Sequence, residues 1–227
     1  APSCATVSGS HFMLGDEGWT VQGNKLPGSA VTFESLSRGP ELNHYIVSHD
    51  DKINVASNSA NASDESLWYF TAPNKFLGNK GIAYGGAVQF TIGSFSGDFG
   101  SANAGATPLV RLTCDECVGP VGSGITLVYP LSAMGVDSFE GGIRKVTVPL
   151  LEGQGWMKDP QNTLVPWIEA SQCDIVQVLY RLTGLQILGD WTTRHESVAL
   201  DDVQLVNLHT KVPLCAQDRP DASICSC

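Results

Sequence analysis

Charge is scarce in this chain. Only 16% of its 227 residues are Asp, Glu, Lys or Arg, and the 13 basic residues are outnumbered by 23 acidic ones, for a net charge of −10. No run of basic residues is longer than Arg144-Lys145. A protein that grips nucleic acid needs a basic stripe to displace counterions from phosphates, so nucleic acid is excluded as a partner. An anionic membrane surface would repel the chain as well. Long apolar runs are also lacking: none reaches the ~18 residues of a membrane-spanning helix, which excludes insertion by that route. The sequence starts at Ala1 and lacks the basic and apolar regions of a secretion signal. The expectation is a processed chain or a part of a longer one.

Catalytic motifs are equally sparse. There is no Gly-x-Ser-x-Gly elbow, no phosphate-binding loop and no His-Glu-x-x-His. His195-Glu196 has no second histidine four residues on, and His11, His44, His49 and His209 are scattered, so all five read as surface or packing residues. Carboxylates pair at Asp16-Glu17, Asp50-Asp51 and Asp201-Asp202. A glycosidase needs two carboxyls facing each other across a cleft, and adjacency in sequence does not supply that. Asp50-Asp51 reads as a solvated turn. The chain is read as non-enzymatic.

What is present is a core. Hydrophobic residues make up 42% of the chain, enough for one large β domain. The aromatic run Trp68-Tyr69-Phe70 ends at Pro73, which has no N–H to continue a ladder. After a turn containing Gly78 and Gly81, Val88, Phe90 and Ile92 alternate with Ala87, Gln89 and Thr91, the period of a strand with one buried face. Similar strand patterns occur at residues 19–21, 45–47, 109–113, 125–129, 144–150, 185–189 and 198–206. Roughly ten strands with turn signals between them indicate a β-sandwich. Cys114 to Gly124 reads as a turn. One segment departs from the pattern: Ile175, Val178, Leu179 and Leu182 share a helical face, predicting a short helix over residues 174–183, closed by Gly184 in a left-handed conformation. The compact domain is expected to end near Lys211.

Seven cysteines, Cys4, Cys114, Cys117, Cys173, Cys215, Cys225 and Cys227, point to an oxidising compartment, hence a secreted, extracellular or cell-surface protein. The odd number leaves at least one outside intrachain pairing. Cys114-x-x-Cys117 lacks the partners of a zinc or redox site and reads as a local disulfide. Asn61-Ala62-Ser63 is an N-glycosylation sequon in a polar stretch. Asp201-Asp202 interrupts a strand. One of two adjacent strand residues must point to each face, and an inward carboxylate needs a hydrogen-bond partner or a cation, for which a calcium ion would serve.

The Ala72-Pro73-x-x-Phe76-Leu77-Gly78-Asn79-Lys80 core, with Ala83-Tyr84-Gly85 after it, resembles the signature of the laminin IV type A domain. Further similarities keep that family's order: Val146–Leu150 ahead of Gly155-Trp156, the helix at 174–185, and Ala199-Leu200-Asp201-Asp202-Val203-Gln204-Leu205 as closing strand. The likeness is good over residues 65–208 and weak before them. It implies an all-β, jelly-roll β-sandwich of two antiparallel sheets with one short helix, spanning residues 31–211. Residues 1–30 would be an N-terminal extension or first strands, and residues 212–227 a cysteine-containing tail. In this family the sandwich interrupts a laminin-type EGF-like repeat, and Cys225-Ser226-Cys227 resembles the start of one, which would leave those two cysteines without partners here. Related carbohydrate-binding jelly rolls often hold a structural calcium through a Glu in a Phe-Glu-x-Gly-x-x-Gly-Trp pattern and the closing Asp. Phe12-Met13-Leu14-Gly15-Asp16-Glu17-Gly18-Trp19 is similar, but Met13, a poor calcium ligand, stands at the Glu position.

The resemblance implies a non-catalytic extracellular structural domain contacting other extracellular proteins or copies of itself, with filament or sheet assembly through sandwich edges. The alternative is a carbohydrate-binding module of jelly-roll type, with Trp156, Trp167 or Trp191 as sugar-stacking platforms.

Overall fold

A computed structural model describes residues 5–26, 28–38, 41–50, 67–96, 107–119, 122–134, 142–159, 167–191 and 196–207. Among them the chain forms strands β1 (Ala5–Ser10), β2 (Thr20–Gly23), β3 (Thr32–Glu34), β4 (Tyr45–His49) and β5 (Trp68–Thr71). There follow β6 (Ala87–Ser96), β7 (Pro108–Gly119), β8 (Gly122–Pro130), β9 (Ile143–Pro149), β10 (Met157–Asp159) and β11 (Ile168–Glu169). Helix α1 (Gln172–Tyr180) and strands β12 (Gly184–Leu188) and β13 (Ser197–Asn207) complete the order. One sheet runs β3-β4-β13-β6-β9, with β1 also on β13; the other runs β11-β10-β8-β7-β12-β5-β2. Every pairing is antiparallel. This is the all-β sandwich that the alternating patterns imply.

The core lies between the sheets. Val88, Phe90 and Ile92 on β6, Val146 and Val148 on β9, and Val198, Leu200, Val203 and Leu205 on β13 are buried with Phe70, Leu112, Leu127, Leu185 and Ile187 of the other sheet. Period-2 spacing puts the β6 and β9 sets on one face, and a register break between Asp201 and Gln204 lets both halves of β13 face inward; burying each such side chain is worth about 1.5–3 kcal/mol. Strands within residues 1–30 belong to both sheets: β1 pairs with β13, and β2 with β5.

Two local expectations are corrected. The helix starts two residues earlier, because Ser171 and Asp174 form a capping box: the Ser171 hydroxyl accepts the Asp174 N–H and the Asp174 side chain accepts the Ser171 N–H. It stops at Tyr180 with Arg181 as cap, and Gly184 opens β12 opposite Thr113 instead of closing the helix. The segment after Cys114 is no turn either. β7 continues to Gly119, and between Cys114 and Val118 its register against β8 slips, leaving a bulge that the Cys114–Cys117 disulfide closes.

The stretch from Trp68 to Ile92 joins the layers. Phe76 packs edge-on against Trp19 at 5.4 Å. Gly78, at φ +81°, exchanges backbone hydrogen bonds with Leu182 just after α1. A Cβ at Gly86 would lie 1.8 Å from the Val206 carbonyl oxygen, so only glycine allows β6 to start against β13. Tyr84 donates to Glu152 and accepts from Gln172 on α1.

Candidate functional site

A polar cavity lies on the outer side of the β13 sheet, where the loop after β1 meets a break in β13. The loop is tightly organised. Phe12 (φ +48°) and Glu17 (φ +52°) take left-handed backbone conformations, and Phe12 buries its ring against Trp19. The Glu17 carboxylate accepts the backbone N–H groups of His11 and Phe12, at 3.2 and 2.7 Å, and pairs with Lys75. Burial would raise the Glu17 carboxyl, but bonds from Lys75, Ser10 and the Phe12 N–H outweigh it and hold the group below its ordinary value. The Asp16 carboxylate accepts the Gly18 N–H and its carbonyl accepts the Trp19 N–H. With its backbone so committed, the loop leaves Met13 60% and Leu14 97% exposed.

Opposite this loop the register of β13 against β6 shifts between Asp201 and Gln204, and Asp202 sits at φ +45°. Both aspartates thereby face one cavity of about 340 Å³, also lined by His11, Met13, Glu41 and Lys145. Asp202 is well matched: its Oδ1 receives His11 Nδ1 at 2.9 Å and Gln204 Nε2 at 2.6 Å, and Lys145 Nζ stands 4.0 Å from Oδ2. Asp201 is 8% exposed and its Oδ1 accepts the Asp202 N–H at 2.6 Å. Burial, with the neighbouring Asp202 charge, pushes its carboxyl up to about 6, against the smaller opposing effects of N–H bonds from Asp202 and Asn43 and of His11. At the calcium site expected at Asp201 and Asp202, side-chain donors occupy Asp202 Oδ1, and Met13, where related modules place a Glu, offers only a thioether.

A second cluster escaped the sequence reading. Asp50, expected in a solvated turn, is buried together with Asp190 and Glu196, and one carboxylate oxygen from each lies within 4.8 Å of the others. Asp50 accepts the Trp68 indole N–H at 2.5 Å and the Glu196 backbone N–H at 3.3 Å, while Glu196 accepts the Trp191 N–H at 2.8 Å. Asp190 and Glu196 stand at the two ends of the β12–β13 connection, and the sandwich brings Asp50, from the end of β4, against them. No periodicity or spacing marks them; Asp50 next to a strand and Glu196 before another were the only local signs.

The tryptophans suggested as sugar platforms are placed otherwise. Trp156 and Trp191 are 1% and 2% exposed, with their indole N–H groups bonded to the carbonyls of Pro149 and Leu188. Neither ring offers a face to a ligand, because each fills the core and spends its polar edge on the backbone. Trp167 is half-buried at the start of the β11 segment. The Cys114–Cys117 bond is formed and buried, and Cys173 is half-buried in the first turn of α1. Cys4, Cys215, Cys225, Cys227 and Asn61 lie outside the described residues.

Comparison with known proteins gives four likenesses. The family model Laminin B (Domain IV) matches residues 69–213. Laminin subunit gamma-1 of Xenopus tropicalis is 28% identical over 221 residues, 96% of this chain and 11% of that protein. The chain thus spans about a tenth of that relative's length. Among solved structures, the L4b domain of human laminin alpha-2 overlays with a TM-score of 0.58 at 13% identity, covering 90% of this chain and 99% of that one. A Family 30 carbohydrate-binding module overlays more loosely, with a TM-score of 0.42 at 10% identity, over 93% of this chain and 88% of that one.

Proposed function

Because the chain belongs to the laminin B (domain IV) family, we propose that it is a non-catalytic structural domain of the extracellular matrix or cell surface. It would be a building block that contacts other extracellular proteins, or further copies of itself, to form filaments or sheets. The observation that carries this reading is how the family-like stretch spends its residues. Phe76 fills the core, Gly78 joins the chain leaving α1, Gly86 admits β13 and Tyr84 ties α1 to Glu152. These residues fix strands and helix against one another, which suits a module whose role is to present a surface. The oxidising compartment suggested by the cysteines supports a secreted protein.

The carbohydrate-binding alternative loses two of its three candidate platforms, since Trp156 and Trp191 are buried. Imaging of the native material by electron microscopy, with a glycan array run in parallel, separates the two. A regular polymer or a defined complex with other matrix proteins is expected; isolated monomers that bind sugar would overturn the structural reading.

A further inference from the structure

We propose that the Met13–Leu14 loop tip and the adjoining Asp201 cavity form one docking surface, for a protein partner that inserts a lysine or arginine side chain. The inference rests on the protein-contact reading above and gives it a location and a chemistry.

The first observation is the loop. An exposed Leu on a loose segment means little. This loop is fastened by the Glu17 and Asp16 bonds and by the buried rings of Phe12 and Trp19, yet it holds Leu14 97% exposed. A preorganised apolar tip loses little entropy when a partner covers it. Met13 belongs to the tip and to the cavity wall alike, so the apolar and polar parts are one continuous surface.

The second observation is charge. Three carboxylates (Glu41, Asp201 and Asp202) line the cavity together with His11 and Lys145. Both of those cationic or donor groups serve Asp202. Asp201 receives N–H groups but, among the described residues, has no salt bridge. Asp201 and Glu41 are thus the lining carboxylates without an ion pair among the described residues, and Asp201 is the buried one, in a cavity of about 340 Å³, at the small end for a ligand site. A guanidinium or ammonium on an aliphatic stem matches that shape: the stem lies against Met13 and the head reaches Asp201.

The test is selection of random heptapeptides displayed on phage against the immobilised 227-residue chain, followed by affinity measurement of the winners as free peptides. The expected result is enrichment of Lys or Arg, with a tenfold or greater loss of affinity on Asp201→Asn and a measurable loss on Leu14→Ser. Both variants should keep the wild-type circular dichroism spectrum, Leu14 being on the surface. Failure to select peptides, winners without basic residues, or winners indifferent to both substitutions would overturn the proposal. So would amide resonances of Met13 and Asp201 that respond to calcium chloride or to a glycan and not to the peptides. None of these outcomes bears on whether native material assembles, so the two readings fail separately.

Discussion

Asp201→Asn should stabilise the domain at neutral pH, and the gain should vanish in acid. The Asp201 carboxyl sits at about 6 in the fold against an ordinary 3.8. Between those values the folded chain holds a proton that the unfolded chain has released, so this group's contribution to stability falls as pH rises through the window. Above pH 6 the cost is complete. The full displacement corresponds to about 3 kcal/mol. The cavity is open to water on one side, which screens the carboxylate, so about 1–2 kcal/mol is the expected effect. An asparagine removes the charge and keeps an Oδ1 to accept the Asp202 N–H. Urea unfolding of both proteins, followed by tryptophan fluorescence from pH 4 to 7.5, isolates the term, because every other titrating group is common to the pair. The variant's advantage should widen between pH 4 and about 6 and hold level above that. A constant gap, or a variant less stable at pH 7.5, would refute the reasoning. If it holds, a residue that costs the fold stability stands on the proposed docking surface.

Three further outcomes are expected. Replacing Cys114 and Cys117 by Ser should cost about 2 kcal/mol or less, since the closed loop is short; a thermal melt measures it, and a larger loss would mean that the bulge in β7 also depends on the bond. Gly86→Ala should destabilise by more than about 3 kcal/mol, because the new Cβ meets backbone and no side chain can move aside; near-wild-type unfolding in urea would contradict the close approach of β6 and β13. Glu17→Gln should loosen residues 11–19 at pH 7, seen as faster amide hydrogen exchange there. Because Glu17 is held below its ordinary value, the wild-type loop should also lose protection as pH falls through the acid range, while the variant stays flat.

Much of the sandwich was legible locally. Strands with one face buried alternate by two whatever they pair with, so β6, β9, β12 and β13 announce themselves. Short strands do not: β3, β10 and β11 span two or three residues, too few for a period to register. The helix was recognised by its apolar face, but its start depends on the Ser171–Asp174 box and its end on where Leu182 meets Gly78, one local polar pair and one long-range contact. The tryptophans misled because a large ring on a loop looks the same in sequence whether it faces water or the core.

By itself the sequence determined the all-β class, the aromatic and glycine frame from Trp68 to Ile92, the local Cys114–Cys117 pairing and the acidic, sparsely charged surface. These follow from periodicity, steric allowance and composition, which act over a few residues. Only the tertiary structure decided that Asp50 is buried against Asp190 and Glu196, that Trp156 and Trp191 are core, and that Met13 lines one cavity with Asp201. Such neighbours are some 140 to 190 residues apart in the chain. Their meeting depends on strand order and register, and those are set by the sum of many weak contacts across two sheets.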